Sequence, residues 1–170
     1  MTAPSSDWPR HWRWKGEPRP PGPAVVFDID GVLSDASARQ HFLAGPGRKD
    51  WRGFFDAAGD DPLIKEVSRL TEVLDPAVTI VLLTGRPIRV QPLTVAWLER
   101  NEPRWDLLVM RPAGDYGASL EFKRETVAEL RKRDFDVRLA IEDDERNREM
   151  FEAEGVPCIY LHSGYYGNPQ

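Results

Sequence analysis

The sequence predicts an α/β fold in which a parallel sheet is flanked by helices, and three observations carry that prediction. Five short apolar runs, near residues 24–27, 78–83, 106–110, 137–141 and 158–161, are separated by helical patterns, the alternation that a parallel sheet with crossover helices requires. Two apolar stripes at helical spacing, Leu63-Val67-Leu70-Leu74 and Val90-Leu93-Trp97, read as helix faces turned to a core. Asp28, Thr84, Arg111 and Asp143 fall at the carboxyl ends of four of the runs, where open α/β sheets place their ligands.

Taken in order, residues 1–23 are rich in Pro, Trp and Arg and lack helical or strand periodicity, so they are expected to form an irregular tail before a domain at 24–170. Within the tail, Trp8-Pro9-Arg10-His11-Trp12-Arg13-Trp14-Lys15 interleaves indoles with cations. That pattern suits stacking on single strands, but it equally suits tryptophans folded back over an apolar surface, which is the preferred reading. The first run ends in Phe27-Asp28-Ile29-Asp30-Gly31-Val32. A period of two turns Asp28 and Asp30 toward the same side, and Gly31 permits a sharp turn beyond them.

In the interval 34–62, Trp51, Phe54 and Phe55 either offer a stacking platform for a base, Trp51 foremost, or anchor the loop on the sheet. The run Thr79 to Leu83 continues into Thr84-Gly85-Arg86, a hydroxyl, a glycine and a guanidinium able to meet a phosphate oxygen, or simply an ordinary turn. Arg111 closes the next run, and Lys123 opens a helical segment after the loop 112–119. The run 137–141 ends in Glu142-Asp143-Asp144, three acids that repel one another unless a cation sits among them.

These pieces, in this order, resemble the haloacid dehalogenase superfamily, with its DxD, Ser/Thr, Lys and terminal acidic pair; the resemblance spans residues 24–161. More closely, the chain is similar to the 3′-phosphatase domain of bacteriophage-type polynucleotide kinase–phosphatases. That similarity rests on Thr84-Gly85-Arg86, Val109-Met110-Arg111, Lys123, the stretch Leu139 to Asp143, Glu149-Met150-Phe151 and Gly155-Val156-Pro157-Cys158. The resemblance implies a Rossmann-like sheet, capless or with a minimal cap because the interval 34–62 is too short for a second core. It also implies a Mg²⁺-dependent phosphomonoester hydrolase. Asp28 would be the nucleophile and Asp30 the acid and base; Thr84 and Lys123 would contact the phosphoryl group. Mg²⁺ would lie on the Asp28 carboxylate, the Asp30 carbonyl and Asp143, with Glu142 beside them.

Gly85, Arg86, Arg111 and Trp51 are the expected substrate contacts, with surface salt bridges as the plain alternative for the two arginines. The expected substrate is the 3′-phosphate of a single-stranded DNA or RNA end; a nucleotide or other small phosphomonoester is the alternative, and a non-catalytic module binding phosphate ends or a protein is a third. No Gly-x-x-x-x-Gly-Lys-Ser/Thr phosphate loop occurs in the sequence, so no kinase partner is visible.

Composition sets the outer limits. With 170 residues, 41% hydrophobic and 30% charged, the chain has enough apolar material for one globular core. A net charge of −5 argues against general attraction to nucleic acid and leaves room for a local basic patch. One cysteine, Cys158, excludes an intrachain disulfide and reads as a buried thiol in a reducing compartment. No apolar stretch is long enough to span a membrane and no signal-peptide core follows Met1, so a cytoplasmic enzyme without membrane partners is expected.

Overall fold

The computed structural model describes residues 8–166. Six strands, β1 (Trp12–Trp14), β2 (Pro23–Phe27), β3 (Thr79–Pro87), β4 (Leu107–Arg111), β5 (Asp136–Glu142) and β6 (Cys158–Tyr160), form one sheet in the order β1-β4-β3-β2-β5-β6. All neighbours are parallel except β1, which runs antiparallel to β4. Five α-helices accompany it: α1 (Trp51–Asp56), α2 (Lys65–Val73), α3 (Gln91–Asn101), α4 (Ser119–Lys132) and α5 (Glu145–Ala153).

Alternation along the strands divides the core into two layers. Ala24, Val26, Val81, Leu83 and Val109 pack with Val127, Leu130 and Phe151 of α4 and α5. Val25, Phe27, Leu82, Leu108 and Met110 pack with Val67 of α2 and Trp97 and Leu98 of α3. Because both faces are covered, the central strands carry unbroken apolar runs rather than a polar alternation. This is the Rossmann-type architecture expected from the sequence.

Two local expectations need correction. The segment 1–23 is not irregular throughout: Trp12 pairs with Val109 and Trp14 with Leu107, and Trp12 is buried while Trp8 and Trp14 pack against the core. Three residues are too short for a period of two to register, yet Trp12 and Trp14 share a face as a strand requires. The Arg133 guanidinium lies 4.7 Å from the centre of the Trp8 ring. Secondly, α4 starts at Ser119, so Lys123 sits in its second turn instead of opening it.

The segment 34–62 contains only α1 and two 3-10 turns, Ser37–Leu43 and Ala58–Asp60, and has no sheet of its own. The cap is therefore minimal. Among the described residues, no helix is long and apolar enough to cross a membrane.

Candidate active site

The central strand β2 lies between β3 and β5 and delivers Asp28 to the middle of the sheet's carboxyl edge; the Asp28 N–H donates to the Ile141 carbonyl at 3.0 Å. Beyond it the chain folds tightly, with the Val32, Leu33 and Ser34 amides all donating to the Ile29 carbonyl at 3.1, 2.9 and 2.9 Å. Gly31 makes this turn at φ +82, and a methyl group there would come within 2.0 Å of Asp143 Oδ2. The glycine serves both the left-handed backbone and the close approach of β5's acid.

Three buried carboxylates, from Asp28, Glu142 and Asp143, present oxygens within 4.8 Å of one another. Lys123, fully buried, balances part of that charge: its Nζ lies 3.2 Å from Asp28 Oδ1 and donates to Glu142 Oε1. Burial works against the ammonium, but Asp28 and Glu142 hold it protonated above its ordinary range. Burial pushes the Asp28 carboxyl well up, with Lys123 opposing and the neighbouring acids adding to the rise. Burial likewise drives Asp143 up to about 7, with the Ser163 hydroxyl nearby opposing the rise, and neither of its buried carboxylate oxygens has a hydrogen-bond partner of good geometry. Oxygens left unpaired beside two other acids are what a divalent cation would satisfy, so this donor set fits Mg²⁺.

Asp30 faces a different environment. Arg86 Nη2 and Arg39 Nη2 each lie 2.6 Å from its Oδ1, while Oδ2 receives only Arg86 Nε at 3.2 Å. Burial would raise the Asp30 carboxyl, but the two guanidiniums outweigh it and hold it below the usual carboxylate value. Behind them Asp61 accepts from Arg39 at 2.8 and 2.6 Å and from the Ser34 hydroxyl at 2.5 Å. Arg39, Arg86 and Asp61 are all buried, so this is an internal charge network.

Arg86 consequently does not line the crevice as a substrate contact. The β3–β4 register jumps between Thr84 and Pro87, and this irregularity accompanies an Arg86 side chain turned inward onto Asp30 and Thr94. Arg39 and Asp61 escaped the sequence reading, since the 3-10 turns around them have no apolar periodicity to orient a side chain.

The other expected residues converge. Asp28, Asp30, Thr84, Gly85, Lys123, Arg111 and Trp51 all border one crevice of about 1070 Å³. Thr84 is buried and its hydroxyl accepts from the Arg86 amide at 3.2 Å. Arg111 donates to the Gly117 carbonyl at 3.2 Å. Trp51, at the start of α1, is 50% exposed and stacks on Phe55 with ring centres 6.0 Å apart, whereas Phe54 is buried and acts as the anchor. Asp144 caps α5 by accepting from the Arg146 amide, and buried Asn147 follows it at the crevice wall. Cys158 is only half-buried, less than its apolar surroundings suggested.

Residues 22–166 match the family described as the polynucleotide kinase PNKP phosphatase domain. Two structures of a Pnkp1/Rnl/Hen1 complex, one titled as an RNA repair complex, are similar in fold. The first has TM-score 0.66 and 25% identity over 82% of this chain and 42% of that one; the second has TM-score 0.69 and 23% identity over 94% and 51%. The chain thus spans about half the length, or less, of those proteins. A haloacid dehalogenase-like hydrolase from Streptococcus pneumoniae shares the fold at TM-score 0.57 and 14% identity, over 81% of this chain and 83% of that one. No curated protein matches in sequence. With that family match over most of its length and the acid–lysine site at the expected strand ends, the chain belongs to the PNKP phosphatase-domain family and is a phosphatase of haloacid dehalogenase type.

Proposed function

We propose that the enzyme removes 3′-phosphate groups from polynucleotide ends with Mg²⁺ bound at Asp28, Asp143 and the Asp30 carbonyl. The observation that carries the chemistry is Lys123 at 3.2 Å from Asp28, both lining the crevice, with the buried Asp143 carboxylate within 4.8 Å of Asp28. Mg²⁺ supplies neutralisation of the phosphate and carboxylate charges that would otherwise repel.

An Asp28 oxygen attacks phosphorus, the bond to the leaving 3′ oxygen breaks, and Asp30 gives that oxygen a proton. Water then attacks the aspartyl-phosphate and loses a proton to Asp30, which releases inorganic phosphate and restores Asp28. Arg86 and Arg39 hold Asp30 ionised in the free enzyme, so it takes up the proton from solvent as the anionic ester binds, on Oδ2, the less engaged oxygen. Lys123 and Thr84 steady the charge on the phosphoryl oxygens, and Glu142 keeps Lys123 in place.

The polynucleotide reading is supported by the family and by the breadth of the crevice, whose rim holds exposed Trp51 and Tyr116 together with Lys49, Arg52, Arg89 and Arg111. The likeness to an RNA repair complex makes RNA ends a substrate class to test, and proteins of such an assembly candidate partners.

The test is a panel of 3′- and 5′-phosphorylated oligonucleotides, mononucleotides and sugar phosphates, each with and without Mg²⁺. The expected result is Mg²⁺-dependent hydrolysis with the highest kcat/KM on the 3′-phosphorylated oligonucleotide. A stacked base is worth about 1–3 kcal/mol, so Trp51→Ala should reduce the oligonucleotide advantage roughly tenfold while sparing a small phosphoester. Preference for a free nucleotide at low salt would overturn the substrate. No turnover of any ester would favour a binding module.

A further inference from the structure

Beyond β6 the chain turns back over the acids. A methyl group on Gly31 would lie within 3.1 Å of Ser163 Cβ, so this segment rests directly on the tight turn that carries Asp28 and Asp30. The Tyr165 hydroxyl donates to Asp35 Oδ1 at 3.0 Å, across 130 residues of sequence, and the Tyr165 amide donates to the Ser163 hydroxyl at 3.2 Å. Asp35 follows Ser34 and is itself fixed, its amide donating to the Pro62 carbonyl at 2.9 Å. A hydrogen bond between two loops on one rim therefore sets the height of that wall.

Gly164, Tyr165 and Tyr166 border the same crevice as Asp28, Thr84 and Lys123. Tyr166 is 46% exposed, a large aromatic surface left open in a site built of charges. Desolvation, then the negative charges of Asp143, Asp28, Asp144 and Glu142, push its phenol well above the ordinary range. The hydroxyl is protonated at neutral pH and can donate to an acceptor on the part of the substrate beyond the phosphate. Trp51 and Tyr116 stand on other segments of the rim; on the wall formed after β6, Tyr165 is half-buried and tied to Asp35, and Tyr166 is the more exposed ring.

We infer that Tyr166 is a substrate-contacting residue that holds the leaving nucleoside beside the scissile ester, and that the Tyr165–Asp35 hydrogen bond is the latch positioning it. The inference rests on the phosphomonoesterase reading and adds the part of the substrate gripped by this wall. The ring supplies a stacking face and the hydroxyl a donor, neither of which inorganic phosphate can use beyond the pocket of Thr84 and Lys123.

The experiment compares KM for the ester with the inhibition constant of inorganic phosphate. Tyr166→Ala should raise KM for the best ester of the wild-type enzyme tenfold or more and leave the phosphate inhibition constant within twofold; Tyr166→Phe should fall between. Tyr165→Phe and Asp35→Ala should each raise KM by a smaller factor, and the double variant no further than the larger of the two, because both remove the same hydrogen bond. If KM and the phosphate constant rise together in Tyr166→Ala, the residue only supports the fold; if neither moves, it touches nothing. Either result overturns the inference. Because the comparison uses whichever ester the wild type prefers, it stands apart from whether that ester is a polynucleotide.

Discussion

Arg86 approaches Asp30 with two nitrogens, Nη2 at 2.6 Å from Oδ1 and Nε at 3.2 Å from Oδ2, and does so with a side chain that has no exposed surface. The arginine that ends the Thr84-Gly85-Arg86 stretch thus orients the proposed acid–base carboxyl, in company with Arg39. Arg86→Lys replaces a fixed fork by a point charge, and kcat should drop at least tenfold while substrate KM changes little. Arg39→Ala leaves Asp61 and Asp30 short of a buried counter-charge and should cost about 3–5 kcal/mol of stability, read as a lower denaturation midpoint. An Arg86→Lys enzyme with wild-type kcat would remove the orienting role.

Gly31→Ala should be disabling although it adds one methyl. The backbone there has φ +82, and the new carbon would meet Asp143 Oδ2 at 2.0 Å. Turnover should fall at least a hundredfold, with far-ultraviolet circular dichroism close to wild type. Near-normal turnover would mean that the turn can yield without disturbing the acids.

The carboxylates should separate by their response to metal. Asp28→Asn should abolish turnover in a folded protein, having lost its attacking charge. Asp143→Asn should lose the rise in Tm that Mg²⁺ gives the wild type, since its unpaired oxygens are the proposed ligands. Asp30→Asn should keep that rise, because its carbonyl is the proposed ligand, while losing turnover. Equal loss of the Mg²⁺ response in Asp30→Asn and Asp143→Asn would contradict this division.

Cys158 gives a prediction independent of catalysis. Burial, then the Glu142 and Glu152 charges, push its thiol up to about 12, against about 8.5 for a free cysteine. Alkylation of the native protein should therefore stay slow from pH 7 to 10 and become fast only in urea, where the thiol regains its ordinary value. The sign for stability follows: the raised thiol contributes fully below about pH 8.5 and progressively less up to 12. Rapid native labelling at pH 8 would refute it.

The central strands were legible because burial on both faces makes them unbroken apolar runs, and the acids at their ends were legible because Gly31 and the consecutive Glu142-Asp143-Asp144 are unusual in a purely structural turn. Lys123 could be placed on a helix, but not its buried pairing with both Asp28 and Glu142, which depends on how α4 crosses β2 and β5. Arg86 was misdirected for a related reason: the register break at Thr84 to Pro87 is a property of the β3–β4 pair and leaves no local trace. Arg39 sits in a 3-10 turn and Asp61, Tyr165 and Tyr166 in irregular backbone, where no periodicity tells which way a side chain points.

The family match begins at residue 22, whereas the sheet begins at Trp12. A protein trimmed to the matched span would lose β1 and leave β4 as an open edge, with the Met110 amide that now donates to the His11 carbonyl and the Asp106 carbonyl that now accepts from the Lys15 amide left unpaired. It would also uncover the apolar surface now sheltered by Trp8, Trp12 and Trp14. Such an edge is a template for another chain's strand, so the trimmed domain would be prone to self-association even with every proposed catalytic residue in place.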